Sequence, residues 1–487
     1  MNRIQINPQR IVAGVERHLF GSFVEHLDRC VYGGIYDPGS PLSDERGLRL
    51  DVLDAVRRLR PSIVRYPGGN FVSGYRWMDG VGLREQRPTR RDLAWHVLES
   101  NHFGTNEFID WCRAVDTEPY MVVNCGDGDM REARDWVEYC NGAEPTAMAK
   151  LRQSHGYDAP HGVKIWGIGN EVDGPWQIGY KTPQEYARAV TEFGKVMRWA
   201  DPTIKIVAHG VSHWDAKDFV ERGQILLEQA ADQIDYLAVH WYVDNDHDDY
   251  WRFMAHSELF EERLRAYSGL IHAVRAERKI KKPIWIAADE YNVWHFKPEK
   301  VGEYDVTMFN VEDALVFAAQ INAFIRHADM VKMANFAQLV NLLAPIVTTP
   351  EAMLLQSIFH VFEMYSTLAG AHSIDVHWDG DTFSAGDHEA LRMLDVTATL
   401  SADQRSATVF VINRDQQPVE AELRLMEGRA VGEIALHSLS GPDIKATNRL
   451  DNPDVVKTIV TRQPTDGNII TLPLAAHSVT AAVISLS

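Results

Sequence analysis

From about Phe20 to Tyr365, short apolar runs rich in β-branched residues alternate with longer stretches of helical period, the pattern of repeated βα units. Eight of the runs predict strands: FGSFVEH from Phe20, SIVRYPGG from Ser62, YMVVNCG from Tyr120, VKIWGIGNE from Val163, IKIVAHG from Ile204, YLAVHWY from Tyr236, IWIAADEYN from Ile284 and VKMANFAQ from Val331. Eight such units in series are what a (β/α)8 TIM barrel requires. The intervening helices carry their own marks. In TPQEYARAVTEFGKVMRWAD, Thr182 and Glu185 predict a capping box with Pro183 at the first helical position, and Ala187, Val190, Phe193 or Gly194, and Met197 predict the buried face. DVLDAVRRLRP places Val52, Leu53, Val56 and Leu59 on one side and stops at Pro61.

Beyond roughly Ala371 helical period disappears. VTATLSADQRSATVFVINRD predicts a hairpin and HSVTAAVISLS a final strand, so a C-terminal β-sandwich is expected. The opening RIQINPQRIVAGV also alternates and is expected to pair with that sandwich. The expected domains are a catalytic barrel over 18–370 and an accessory sandwich built from 1–17 plus 371–487.

Composition agrees with a folded globular chain: 45% hydrophobic, 24% charged and 10% aromatic. A net charge of -19 repels nucleic-acid phosphates and anionic membranes alike, so neither is an expected partner. No stretch reaches the roughly 20 apolar residues of a membrane span, and the first residues carry no signal-peptide run, which predicts a cytoplasmic protein. Cys30, Cys112, Cys125 and Cys140 are far apart without a Cys-x-x-Cys pair, so no disulfide framework or structural zinc is expected.

Catalytic groups of such barrels stand at the C-terminal ends of the strands. Here those ends offer Glu25 and His26, Arg65 and Asn70, Asn124 and Asp127, Asn170 and Glu171, His240 and Tyr242, Asp289, Glu290 and Asn292, and Gln338. Glu171 and Glu290 each close an apolar strand, where a carboxylate without a task is poorly solvated. Two carboxyl groups facing one another over a barrel mouth are the apparatus of glycoside hydrolysis, one protonating the leaving oxygen and the other attacking the anomeric carbon. A cation such as Arg65 and a hydroxyl such as Tyr242 would keep Glu290 ionised, which suits a nucleophile. Glu171, desolvated and near another carboxylate, is expected to lean toward the protonated form of a general acid. A single strand-end Glu could equally cap a helix or pair with an arginine; the convergence of several polar groups favours catalysis.

The segments RYPGGNFVSGYRW from Arg65, WGIGNEVDGPWQIG from Trp166, VHWY from Val239, DEYNVW from Asp289 and KMANFAQLVNLLAP from Lys332 resemble the signatures of glycoside hydrolase family 51. The resemblance runs from FGSFVEHLDRCVYGGIYDP through the barrel and weakly into the C-terminal portion. It implies α-L-arabinofuranosidase activity with retention, a barrel plus a jelly-roll-like sandwich, no metal or other cofactor, and a homo-oligomer. Carried over, it makes Glu171 the acid/base and Glu290 the nucleophile. Glu25, Asn70, Asn170 and Gln338 become ligands of the furanose hydroxyls, Arg65 and Tyr242 supports of the nucleophile, and His240 part of the pocket wall. Arabinose-containing oligosaccharides are the implied partners. The sequence departs from the family in HWYVDNDHDDYW after the sixth strand and in a shorter stretch after Trp294.

Asp244, Asp246 and Asp248 have the odd-position carboxylates of a calcium loop, but Asp249 stands where such a loop needs Gly and Ala255 where it needs Glu. A solvated acidic rim is expected instead. His209 and His213 lack a carboxylate third ligand and predict hydrogen bonding at the barrel mouth. Trp77, Trp176, Trp241 and Trp294 flank the catalytic segments and could pack either on sugar faces or in the core. The competing readings are a β-xylosidase or endo-glucanase on the same barrel, and, in another class, a non-catalytic carbohydrate-binding protein that would be expected to have lost one of the two glutamates.

Overall fold

The computed structural model describes residues 2–213, 215–294 and 298–487. Among them, the eight expected runs form one closed parallel barrel: Gly21–Phe23, Ile63–Tyr66, Glu118–Val123, Ile165–Ile168, Lys205–Val211, Tyr236–Val243, Trp285–Val293 and Val331–Phe336, the last pairing with the first. Alternation along the strands explains the two-sided burial. Ile63, Val122, Ile165, Val207, Ala238, Ala287 and Met333 fill the barrel interior, while neighbours such as Val64, Val123, Trp166 and Ala288 pack outward with the helices.

The helices follow their sequence marks. Pro183–Ala200 begins with the Thr182 and Glu185 capping box and buries Ala187, Val190, Phe193, Gly194 and Met197, with Tyr186 in addition. Leu50–Leu59 buries Val52, Leu53, Val56 and Leu59 and ends where Arg60 turns left-handed, φ 51°, ahead of Pro61.

The seventh strand is irregular in a way that matters. Its register shifts between Ala287 and Glu290 against the sixth strand and between Ala288 and Tyr291 against the eighth. A regular strand sends successive side chains to opposite faces, and a bulge breaks that rule. Asp289 and Glu290 consequently both point into the barrel, Glu290 to the mouth and Asp289 beneath it, while Tyr291 returns to the outer core.

The C-terminal strands form a nine-stranded sheet that also contains Asn2–Gly14, which pairs antiparallel with His372–Asp379 and parallel with Val419–Leu425. Leu423 and Leu472 near one end of this sheet share a core with Leu436 and Ile484 near the other, so the sheet curls over itself into a sandwich. The predicted hairpin pairs Leu394–Leu400 with Ser406–Asn413. Barrel and sandwich are joined by buried charges: Arg326 pairs with Glu261 from the barrel helices and, at 2.6 Å, with Asp395 from the sandwich, and Arg414 meets the same Asp395 at 2.7 Å. No described helix is long and apolar enough to cross a membrane.

Candidate active site

A cavity of about 470 Å³ opens at the C-terminal ends of the barrel strands. Glu25, Asn70, Asn170, Glu171, Tyr242, Glu290 and Gln338, all expected from sequence, face it together. Arg65 and His240 do not: both are buried beneath the wall and reach the cavity through the side chains they hold. His240 was expected in the wall itself; its position on the sixth strand, pointing between the fourth and seventh, puts it one layer lower.

Glu290 is gripped from two sides. The Arg65 guanidinium donates to Oε1, and the Tyr242 hydroxyl donates to Oε2 at 2.9 Å. Arg65 also donates to Asn170 Oδ1 at 2.7 Å, which leaves Asn170 Nδ2 buried at the cavity without an acceptor among the described residues. An orphaned donor of that kind costs free energy unless a ligand oxygen meets it. Two glycines let the second-strand turn approach. A Cβ on Gly68 would meet Glu25 Cγ at 2.6 Å, and one on Gly69 would stand 3.3 Å from Glu290 Oε1.

Glu171 sits at φ 42°, an uncommon conformation for a residue with a side chain and one that recurs at functional sites. Its Oε1 accepts from His240 Nδ1 at 2.9 Å, and its Oε2 accepts from the Trp176 indole at 3.3 Å. Here the expectation that Glu171 leans toward the protonated form fails. Burial pushes the Glu171 carboxyl up, but the hydrogen bond and charge of His240 outweigh it, and the group lies below the ordinary glutamate range. His240 is the complement. Desolvation opposes its charge, yet Glu290, Asp289 and Glu171 together raise it to about 10. The proton expected on Glu171 therefore rests on the imidazole.

Glu25 is where a raised carboxyl is found. Burial first, and the charge of Glu290 second, lift it from 4.5 to about 7, against hydrogen bonds from Phe71 N, Trp95 Nε1 and Gln338 Nε2.

The strand-end residues Asn124, Asp127, Asn292 and His26 are structural. Asn124 donates to Tyr75 O and to Asp127, and Asn292 donates to Ala337 O and Leu343 O at 2.6 Å each, tying the last two strand ends together. His26 turns away from the cavity to Glu99 and Tyr66. Trp176 and Trp294 line the cavity, whereas Trp77 and Trp241 are core. His209 bonds Asp173 at 2.8 Å at the mouth, and His213 lies in the cavity wall. In the acidic loop, Asp248 pairs with Lys445 of the sandwich, Asp249 caps the helix Tyr250–Arg278, and Asp244 reaches the cavity rim. Of the stretch after Trp294, residues 295–297 lie outside the described residues.

Sequence reasoning missed Trp95, which reaches Glu25 from the long segment after the second strand, and Asp173, which holds His209. Neither sits at a strand end, and nothing local distinguishes them from a loop aromatic or a turn Asp.

One oxygen of Glu171, one ring nitrogen of His240 and one oxygen of Glu290 all lie within 4.8 Å of one another. Such spacing admits a cation in principle. The atoms are already engaged by proton donors, Arg65 and Tyr242 on Glu290 and His240 on Glu171, so the trio is a proton network and not a ligand set. Two carboxyl groups this close fit the retaining arrangement, in which they stand about 5 to 5.5 Å apart, and not the roughly 6.5 to 9.5 Å of inverting sites.

Comparison with known proteins places the chain in a family. Residues 55–265 match the alpha-L-arabinofuranosidase 1 domain and residues 289–478 the alpha-L-arabinofuranosidase C-terminal domain. The chain is 38% identical to the intracellular exo-alpha-(1->5)-L-arabinofuranosidase 1 of Bacillus subtilis over 93% of both chains. It is 34% identical to the intracellular exo-alpha-(1->5)-L-arabinofuranosidase of Acetivibrio thermocellus over 98% of both. The crystal structure of the Thermotoga maritima α-L-arabinofuranosidase arabinose complex superposes with a TM-score of 0.92 at 37% identity, covering 100% of each chain. A bifunctional glucanase-xylanase at 14% identity and a TM-score of 0.65 shares the fold alone. With relatives this similar along nearly its whole length, and a barrel mouth built around two facing glutamates, the chain belongs to the α-L-arabinofuranosidases of glycoside hydrolase family 51.

Proposed function

We propose that the chain is a retaining, exo-acting α-L-arabinofuranosidase that releases terminal non-reducing α-L-arabinofuranosyl units from arabino-oligosaccharides by double displacement. The observation that carries the reading is the pair of carboxylates with oxygens within 4.8 Å across one cavity. Glu290 is the nucleophile. Arg65 and Tyr242 hold it oriented, and its oxygen attacks the anomeric carbon as the glycosidic C–O bond breaks. Glu171 is the acid/base: it passes to the leaving oxygen the proton that it shares with His240 Nδ1, then takes a proton from the water that displaces Glu290 from the covalent ester. Its place beside the rim residue Trp176 suits a group that faces the departing portion of the substrate.

Asn170 Nδ2, Asn70, Gln338 and Glu25 supply the donors and acceptors for one furanose ring. A cavity of about 470 Å³ suits a terminal unit, the ordinary size of a small-molecule site. The relatives named intracellular and exo-alpha-(1->5) support a cytoplasmic enzyme acting on short α-1,5-linked fragments. A homo-oligomer belongs to the same reading and is tested by light scattering on the purified chain.

Azide distinguishes the two glutamates. Glu290→Ala should lose turnover and regain it with azide as a glycosyl azide of inverted configuration, and Glu171→Ala should give the retained azide. The opposite pairing would exchange the roles. Initial rates on nitrophenyl arabinofuranoside, xylopyranoside and a β-glucan test the substrate class, and faster xylopyranoside cleavage would overturn it.

A further inference from the structure

The bulge in the seventh strand delivers an unassigned carboxylate, Asp289, beside the nucleophile. Asp289 is 3% exposed and does not line the cavity, so it is not placed to touch a substrate. Its Oδ2 accepts from the Tyr120 hydroxyl at 3.0 Å and lies 3.7 Å from Arg65 Nε. Its Oδ1 lies 3.3 Å from His240 Nε2, and neither atom has a hydrogen-bond partner of its own among the described residues. The imidazole thus stands between two acids, with Nδ1 toward Glu171 and Nε2 toward Asp289.

We propose that Asp289 is a positioning residue for the acid/base: by setting a carboxylate charge 3.3 Å from Nε2 while Nδ1 donates to Glu171, it holds His240 as an imidazolium, keeps one shared proton on the His240 and Glu171 pair and orients Glu171 toward the leaving oxygen.

The alternatives to this role are weaker. Burying a third carboxylate beside two others is costly unless cations compensate it, and the two that lie within ion-pair distance of Asp289 among the described residues are the ones the mechanism already uses, Arg65 and His240. Were it present only to balance Arg65, the Glu290 carboxylate would suffice. What Asp289 adds is a counter-charge on the face of His240 that Glu171 and Glu290 do not reach, since both of those approach Nδ1, at 2.9 and 3.5 Å. The direction of the proton affinities agrees: His240 is raised to about 10, and Asp289 is held down at about 2 by Arg65 and His240 against its burial. Every element packed on the imidazole contributes a group to this balance. Glu171 comes from the fourth strand, with Asp173 shortly after it. His209, its ring centroid 4.8 Å away, comes from the fifth. Asp289 and Glu290 come from the seventh, Tyr242 lies on the same strand as His240, and Arg65 of the second reaches across to both seventh-strand carboxylates. The active free enzyme is then the one with a single proton on the pair, and loss of that proton marks the alkaline limb of kcat/KM.

The inference rests on Glu171 being the acid/base, and the test separates the two. The pH profile of kcat/KM is measured with an aryl arabinofuranoside for wild type, Asp289→Asn and Glu171→Gln. Removing the adjacent charge from His240 should lower the proton affinity of the pair, moving the alkaline limb of Asp289→Asn down by at least about one pH unit. Restoring the charge in Asp289→Glu should move it back toward the wild-type position even if the rate stays low. A uniform loss of rate in Asp289→Asn with the limb unmoved is the outcome of a merely structural residue and overturns the proposal. Glu171→Gln should abolish the limb; if it persists there, the assignment of Glu171 fails, whatever Asp289 does. Should Asp289→Asn not fold, as judged by circular dichroism, Tyr120→Phe keeps the packing and charge and removes the neutral donor from Oδ2. The limb is then expected to rise, and a limb that does not rise overturns the proposal.

Discussion

Glu25 offers a quantitative test of how much the site strains the fold. Its carboxyl is raised from 4.5 to about 7, chiefly by burial and then by the charge of Glu290. Because the folded value lies above the unfolded one, its protonated form favours folding below about pH 4.5, and that advantage is lost as pH rises through 7. At about 1.4 kcal/mol per pH unit the full cost of carrying it ionised above pH 7 is roughly 3 kcal/mol. Glu25→Gln removes that cost. It also sets an amide NH2 against Gln338 Nε2, which now donates to Glu25 Oε2 at 2.9 Å, and losing that bond costs about 1 kcal/mol. The net expectation is a variant more stable than wild type by about 2 kcal/mol at pH 8, equal near pH 5, and less stable by about 1 kcal/mol at pH 4. With unfolding entropy of about 2.1 cal/mol/K per residue, a gain of 2 kcal/mol raises the melting temperature by about 2 °C if the whole chain melts as one unit, and by more if only the barrel does. Thermal melts of both proteins from pH 4 to 8 give the crossing point. Curves that run parallel, or a variant less stable at pH 8, would refute the argument. Activity should move the other way: the lost acceptor for a sugar hydroxyl should raise KM at every pH.

At the interface of the domains, Arg326 and His327 hold Glu261 at about 2 against burial, so its stabilising share is present above about pH 4.5 and is lost as pH falls through 2. Glu261→Gln is accordingly expected to cost about 3 kcal/mol at pH 7 and less than half of that at pH 3, read by thermal melting. Tyr242→Phe removes one hydrogen bond to the charged Glu290, worth about 1.5 to 3 kcal/mol, and should lower kcat/KM by roughly 10- to 150-fold without changing the melting temperature comparably. Thr182→Ala breaks the capping box of Pro183–Ala200 at the surface, where about 1 kcal/mol of stability should go and activity should stay.

Much of the barrel was legible because its strands are short apolar runs that end in polar residues, and both features are local. Each of the eight runs became a barrel strand, and the helix Pro183–Ala200 buried the face its period announced. Less local features were not legible. The capping chemistry of Thr182 is written in four consecutive residues, but the bulge at Asp289 exists only in the register against two neighbouring strands. In the C-terminal portion the individual hairpins could be read, whereas their joining into one sheet that curls on itself, with Asn2–Gly14 inserted between His372–Asp379 and Val419–Leu425, depends on pairings hundreds of residues apart. Trp95 escaped for a related reason. It sits in a long segment without period and earns its place only by the approach of its indole to Glu25.

The misreading of Glu171 shows where residue-level inference stops. Burial and a neighbouring carboxylate do both act on it, as the sequence suggested, but the sign of the outcome is set by His240, which sits on another strand and stays protonated because acids from two further positions face it. Charge in this barrel mouth is a property of the cluster. Arg65 and His240 are cations fixed by carboxylates, Glu171 and Asp289 are carboxylates held ionised by those cations, and Glu25, met by the neutral donors Phe71 N, Trp95 and Gln338, keeps a burial cost that they only partly offset. On the proposed function, a substrate that brings hydroxyl donors to Glu25 and an oxygen to Asn170 Nδ2 would relieve two of the unfavourable buried groups at once, so the same arrangement that weakens the fold would add affinity for the sugar.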